Sequence, residues 1–130
     1  MVDPYIVGSA LYSKVKQSGT IATYFQKAPQ SATTPYTLVY FMTANDDYVF
    51  GSDGLNADYV VKIVSSQDKQ SHPEQALALY SSVHSALQDS SFTIPGYTVI
   101  RIRRESILTY EDQSHFWNVG GLYNLDIWKQ

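Results

Sequence analysis

Cysteine is absent from the 130 residues. Disulfide staples, thiolate nucleophiles and cysteine-ligated zinc are thereby excluded. Charge is scarce as well: Asp, Glu, Lys and Arg make up 16% of the chain, against about 25% in ordinary domains. A surface thin in charge, and filled out with Ser, Thr, Gln and Asn, suits coverage by a partner. Positive charge is the rarer sign, with nine Lys+Arg against twelve Asp+Glu and a net charge of −3. Free-standing nucleic-acid binders are usually basic, so any basic patch here has to be local. Long apolar runs are missing too, and nothing approaches the ~18 residues of a membrane-spanning helix. "MVDPYIVGSA" has no basic start and only a short apolar run, so no signal peptide is expected and synthesis is expected in the cytoplasm.

Catalytic patterns are equally thin. His72, His84 and His115 show no metal-ligand spacing, and His84 reads as a structural histidine on a helix flank. No G-x-S-x-G elbow is present. "VGGL" lies within a strand pattern and not between a strand and a helix, so it is no phosphate loop. Asp46, Asp47 and Asp53 miss the calcium-loop spacing and read as a solvated loop. The eleven tyrosines fall mostly inside strand or helix patterns, where packing explains them better than base stacking. No catalytic, cofactor-binding or metal-ligating residue is expected, and the protein is not expected to be an enzyme.

What is present is a clear pattern of elements. Asp3-Pro4 suits a helix start, and Ile6, Val7, Ala10, Leu11 and Val15 make one apolar face before Ser18-Gly19 ends it. "IATYFQ" (21–26) reads as a short strand. "YTLVYFMT" (36–43) is β-branched and aromatic on both faces, which predicts a central strand. "ANDDYVFGSDG" (44–54) reads as a turn-rich loop with an apolar centre. In "LNADYVVKIV" (55–64), Leu55, Ala57, Tyr59, Val61 and Ile63 share one face of a half-exposed strand. "SHPE" (71–74) has capping-box spacing for a second helix. Its buried stripe is Ala76, Leu79, Tyr80, Val83 and Leu87, widened by Leu77 and Ala86. "FTIPGYTVIRIRRES" (92–106) holds a strand, "ILTYEDQS" a connection, and "HFWNVGGLYNLDIW" (115–128) a last strand. Gly120-Gly121 within it predicts a bulge, a bend or a close backbone approach.

The order α-β-β-β-α-β-β, with one-sided helices and mostly half-exposed strands, predicts an α+β fold. It is a mainly antiparallel β-sheet with two helices packed on one face. The length fits a single domain over 1–130. Three arginines in "VIRIRRES" (99–106) then take definite sides. Alternation sends Arg101 and Arg103 to the open face, and Ile100, Ile102 and Arg104 to the helix side. Asp58 and Asp126 are expected on the same open face, so a sheet-face charge ladder or a subunit contact is favoured over a DNA hook.

The chain also resembles the tail completion, or tail terminator, proteins of long-tailed bacteriophages, which include small tail-to-head joining proteins. The resemblance is carried by "ALYSKV" (10–15), "YFQKAPQSATTPYTLVYF" (24–41), "ADYVVKIVSSQDKQSHPEQALALYSSVHSALQ" (57–88) and "GLYNLDIWKQ" (121–130). It implies a structural virion protein of the tail, made in the host cytoplasm, with no cofactor. It further implies a homo-hexameric ring that caps the tail tube protein and meets the head completion or connector protein. DNA would pass through the lumen without specific binding, and no membrane is involved. Six copies at −3 carry −18, and an acidic ring would not grip phosphates tightly. The rival readings are another phage connector, stopper or baseplate subunit, and a small cellular nucleic-acid-binding module using Arg101 and Arg103. The expected subunit or tube interface is Asp46, Asp47, Tyr48, Val49 and Phe50, with Arg101 and Arg103. Three large apolar residues in a solvated loop are costly to expose, so they are expected either to fold back onto their own subunit as a hairpin tip or, the favoured reading, to extend onto a neighbouring subunit or the tube end.

Overall fold

The computed structural model describes residues 3–18, 21–49, 52–65, 74–88, 94, 96–112 and 116–129. Asp3 Oδ1 accepts a hydrogen bond from the Tyr5 N–H at 2.9 Å, capping helix α1, Pro4–Ser18. Val7, Leu11 and Val15 repeat every four residues and are fully buried. Ile6 is not part of this stripe. One residue step rotates it away from Val7, and it stands 46% exposed beside Tyr5.

The remaining elements are β1 (Thr23–Phe25), β2 (Tyr36–Val49), β3 (Ser52–Val64), α2 (Glu74–Gln88), β4 (Tyr97–Glu111) and β5 (Trp117–Lys129). The order is the α-β-β-β-α-β-β predicted. The five strands form one sheet in the order β1-β2-β3-β5-β4. Only β1 and β2 run parallel; the other pairings are antiparallel.

Both helices lie on one face, and alternation explains why. Leu55, Ala57, Tyr59, Val61 and Ile63 of β3 join Val119, Tyr123, Leu125 and Ile127 of β5 in one buried cluster. Across the ladder Tyr59 pairs with Tyr123 and Ala57 with Leu125. Ala76, Tyr80, Val83 and Leu87 of α2 close the cluster. Each aliphatic side chain fully buried there contributes roughly 1.5–3 kcal/mol. Leu79 only half-joins the stripe, and Leu77 is 42% exposed. The capping residues proposed at 71–73, and His72 and His115, lie outside the described residues.

Three expectations need correction. The strand at 36–43 is not central: β3 is, and Met42 of β2 is 58% exposed. Residues 44–49 and 52–54 are not a loop. β2 continues to Val49 and β3 begins at Ser52, with Asp46 opposite Leu55, Asp47 opposite Gly54 and Tyr48 opposite Asp53. Ladder hydrogen bonds hold a polar segment in a strand when a partner lies alongside, which propensity alone misses. Phe50 lies outside the described residues. Lastly, "ILTYE" is no connection but the second half of β4, which reaches Glu111 opposite Trp117. Register shifts between Val99 and Arg101, and between Arg104 and Ser106, reset the alternation that sequence reading follows.

Gly120-Gly121 proves to be a close approach. The β3–β5 register runs through it unbroken. A Cβ on Gly120 would overlap the Val61 carbonyl oxygen, and one on Gly121 would overlap the Tyr80 hydroxyl.

Candidate assembly surfaces

Among the described residues no helix covers the second face of the sheet, and its two halves differ. Around Lys62 it is aromatic. The Lys62 ammonium donates to the Tyr110 hydroxyl at 2.8 Å and lies 5.7 Å from the Tyr40 ring centre and 5.3 Å from that of Tyr110. Such cation–aromatic contacts contribute about 0.5–1 kcal/mol where exposed. Val60 and Val64 are buried on this face, outside the helix-side core. Burial raises the pKa of the neighbouring Tyr36 phenol, offset in part by Lys62.

The other half of the face is polar. Asn124 donates to Asn56 Oδ1 at 2.7 Å and to Asp58 Oδ1 at 2.9 Å. Arg101 stands opposite Asp126, and Arg103 opposite Asn124. Both arginines are exposed on this open face, as alternation predicts. The cross-strand charge ladder does not form, however. Arg103 binds Glu105 on its own strand at 2.7 Å, and among the described residues no ion pair joins Arg101 to Asp126.

Among the described residues the sheet has two open edges. β4 forms one along its whole length. At the other, β1 covers only Thr37 to Val39 of β2. Gln26 extends that cover: its N–H donates to Val39 O at 2.7 Å, and its Oε1 accepts from the Phe41 N–H at 2.8 Å. A left-handed backbone at Gln26, φ 71°, turns the chain so that both bonds form. Beyond Phe41, β2 has no outer strand among the described residues. The expected interface residues are thus far apart on the sheet. Asp46, Asp47, Tyr48 and Val49 lie on the β2 edge, and Arg101 and Arg103 on the β4 edge.

A third feature was only partly foreseen. Arg104 faces the helix side with Ile102, and its Nη1 donates to the Tyr80 hydroxyl at 3.4 Å. Tyr80 and Tyr123 share a hydroxyl contact of 2.6 Å, and Tyr123 lies 2.8 Å from His84 Nδ1. One proton order satisfies all three contacts. Arg104 donates to Tyr80, Tyr80 to Tyr123, and Tyr123 to a neutral His84. Burial, and then the Arg104 charge, hold the His84 pKa below its ordinary value. Burial and the Tyr80 bond raise that of Tyr123. The arginine's side of the sheet was legible, but its tyrosine and histidine partners are distant in sequence.

Among the described residues no three His, Asp or Glu side chains converge as metal ligands. No helix there is long and apolar enough to cross a membrane. A helix-backed sheet with open edges and a half-aromatic open face offers surface for other subunits to cover.

The chain is a structural protein of the bacteriophage tail. Residues 9–120 match the family model described as Tail completion protein gp17, and the chain belongs to that family. The fold is similar to that of a chain in the virion of a native gene transfer agent particle. The identity is 11%, the TM-score 0.72, and 94% of each chain is covered. At that identity the likeness is one of fold. No curated protein matches the chain.

Proposed function

We propose that six copies of this chain form a ring that caps the tail tube and joins it to the head connector, with DNA passing through the lumen. The observation that carries this reading is the match of residues 9–120 to a tail completion family. The open edges support it. They lie on opposite sides of one sheet, so the β4 edge of one copy can meet the β2 edge of the next. Such head-to-tail contacts are heterologous, and they close into a ring when the rotation per copy fits. The proposed contact residues are Asp46, Asp47, Tyr48 and Val49 on one edge, with Phe50 next to them in sequence, and Arg101 and Arg103 on the other. The ring's other partners are the tail tube protein and the head completion protein.

The decisive experiment is electron microscopy of particles made without this protein. Tailless heads beside tails of abnormal length are expected. Normal tails joined to heads would remove the reading. A second test addresses the contact. Replacing Tyr48 and Phe50 with serine should block head joining and leave the melting temperature of the free chain nearly unchanged. Joining at the normal rate would clear the hairpin of that role.

A further inference from the structure

Between α2 and β4, the side chains around Arg104 border a pocket of about 240 Å³. Leu87 and Ile102 supply its apolar wall; His84, Tyr123 and Arg104 supply its polar one. The volume is below the ~300–1,000 Å³ that encloses a small molecule. It suits a single functional group with a short stem and a few waters.

Charge decides which group. Arg104 is half-buried, and among the described residues it has no carboxylate partner. Its partners are phenols: the Tyr80 hydroxyl at 3.4 Å, the Tyr80 ring 6.0 Å from its guanidinium carbon, and the Tyr123 hydroxyl alongside. The adjacent acid, Glu105, is taken by Arg103 at 2.7 Å. The Tyr80 hydrogen bond outweighs burial and keeps the guanidinium charged, but phenols supply no counter-charge, which an incoming anion would. The guanidinium fork matches a carboxylate with two parallel hydrogen bonds. A duplex backbone, by contrast, is held by several cations neutralising several phosphates, and this pocket offers one cation without an acid partner among the described residues.

We propose that this pocket receives one carboxylate group presented by a protein partner, with Arg104 as its anchor and His84 and Tyr123 as flanking hydrogen-bonding groups. The charged and titratable groups facing His84 are Tyr80 on its own helix, Tyr123 on β5, and Arg104 on β4. Arg103, ion-paired to Glu105, borders the same pocket. An anion seated on Arg104 cancels the charge that opposes His84 protonation. The carboxylate belongs to a second copy of this chain or to another virion protein, and the proposal stands apart from ring formation.

The test is a nuclear magnetic resonance titration of the His84 ring in the full chain, with sodium acetate against sodium chloride at equal ionic strength. Acetate should shift the ring signals saturably and raise the His84 midpoint by about one unit. Arg104→Gln should abolish the acetate response. Arg104→Lys, which keeps the charge but loses the fork, should weaken it several-fold and serves should the glutamine variant not fold. A midpoint that rises with protein concentration alone puts the carboxylate on a second copy. One that is independent of concentration, with the acetate response intact, puts it on another protein. Equal responses to acetate and chloride would overturn the proposal. So would an undiminished response in either Arg104 variant, or tighter binding of inorganic phosphate or a short DNA duplex than of acetate.

Discussion

Gly121 lies directly beneath the Tyr80 hydroxyl. A Cβ at that position would overlap the Tyr80 oxygen and come within 3.0 Å of Arg104 Cδ and 3.1 Å of the Ser106 carbonyl. The missing side chain on β5 is what lets α2 place a phenol against the sheet and reach Tyr123. Overpacking a well-filled site costs about 1–3 kcal/mol, so Gly121→Ala should lose that much in denaturant unfolding. Tyr80→Phe removes the oxygen that the new methyl meets. The double variant should therefore lose clearly less than the two single losses added together. Strict additivity would mean that the clash is relieved elsewhere.

His84 predicts a pH response. Its pKa in the folded chain is held below the ordinary 6.5 by burial first and Arg104 second. Well above 6.5 both folded and unfolded chains carry a neutral imidazole, and the group has no effect. As pH falls through that value, the unfolded chain takes up a proton that the folded chain refuses. Stability therefore falls on acidification. The melting temperature should drop between about pH 7.5 and pH 5.5, and His84→Gln should flatten part of that drop. A variant with the same pH slope as the parent would show that other groups account for it.

The helix stripe gives a graded prediction. Leu87 is 1% exposed, whereas Leu79 is only half-buried. Leu87→Ala should cost about 2–5 kcal/mol, as other buried leucines do. Leu79→Ala should cost less than half of its neighbour's loss in the same measurement. Equal losses would restore Leu79 to the core.

This contrast marks what was legible in the sequence. Spacing of three and four residues found α2, but it cannot tell a residue at the centre of a stripe from one at its rim. Alternation placed Leu55 to Ile63 and the faces of Arg101, Arg103 and Arg104 correctly, because each run lies between register breaks. It failed at Ile107 to Glu111, beyond the break at Glu105, and at Asp46 to Val49, where a ladder partner and not side-chain preference keeps the strand going. The resemblance to tail completion proteins was legible in element order and scattered motifs, and the family match supports it. The Tyr80–Tyr123–His84 contacts were not, since they join residues 39 to 43 positions apart.

The arginines of β4 should not bind DNA. Their number in so short a run invites the opposite reading, but Arg104 faces the helix side, and acids stand near the two arginines of the open face. Arg103 is paired with Glu105 at 2.7 Å. Arg101 stands opposite Asp126 in the ladder, and Asp58 lies on the same open face. The whole chain adds a net −3, which repels phosphate at long range. Two phosphate contacts through these arginines would add about 1.8 to the slope of log affinity against log salt. Replacing Arg101 and Arg103 together with alanine should leave that slope and the weak duplex affinity essentially where they were. Fluorescence anisotropy of a labelled duplex at two salt concentrations measures both. Tight parental binding, with a steep slope that collapses in the double variant, would make β4 a nucleic-acid contact. It would also make this edge part of the channel wall instead of the seam between subunits.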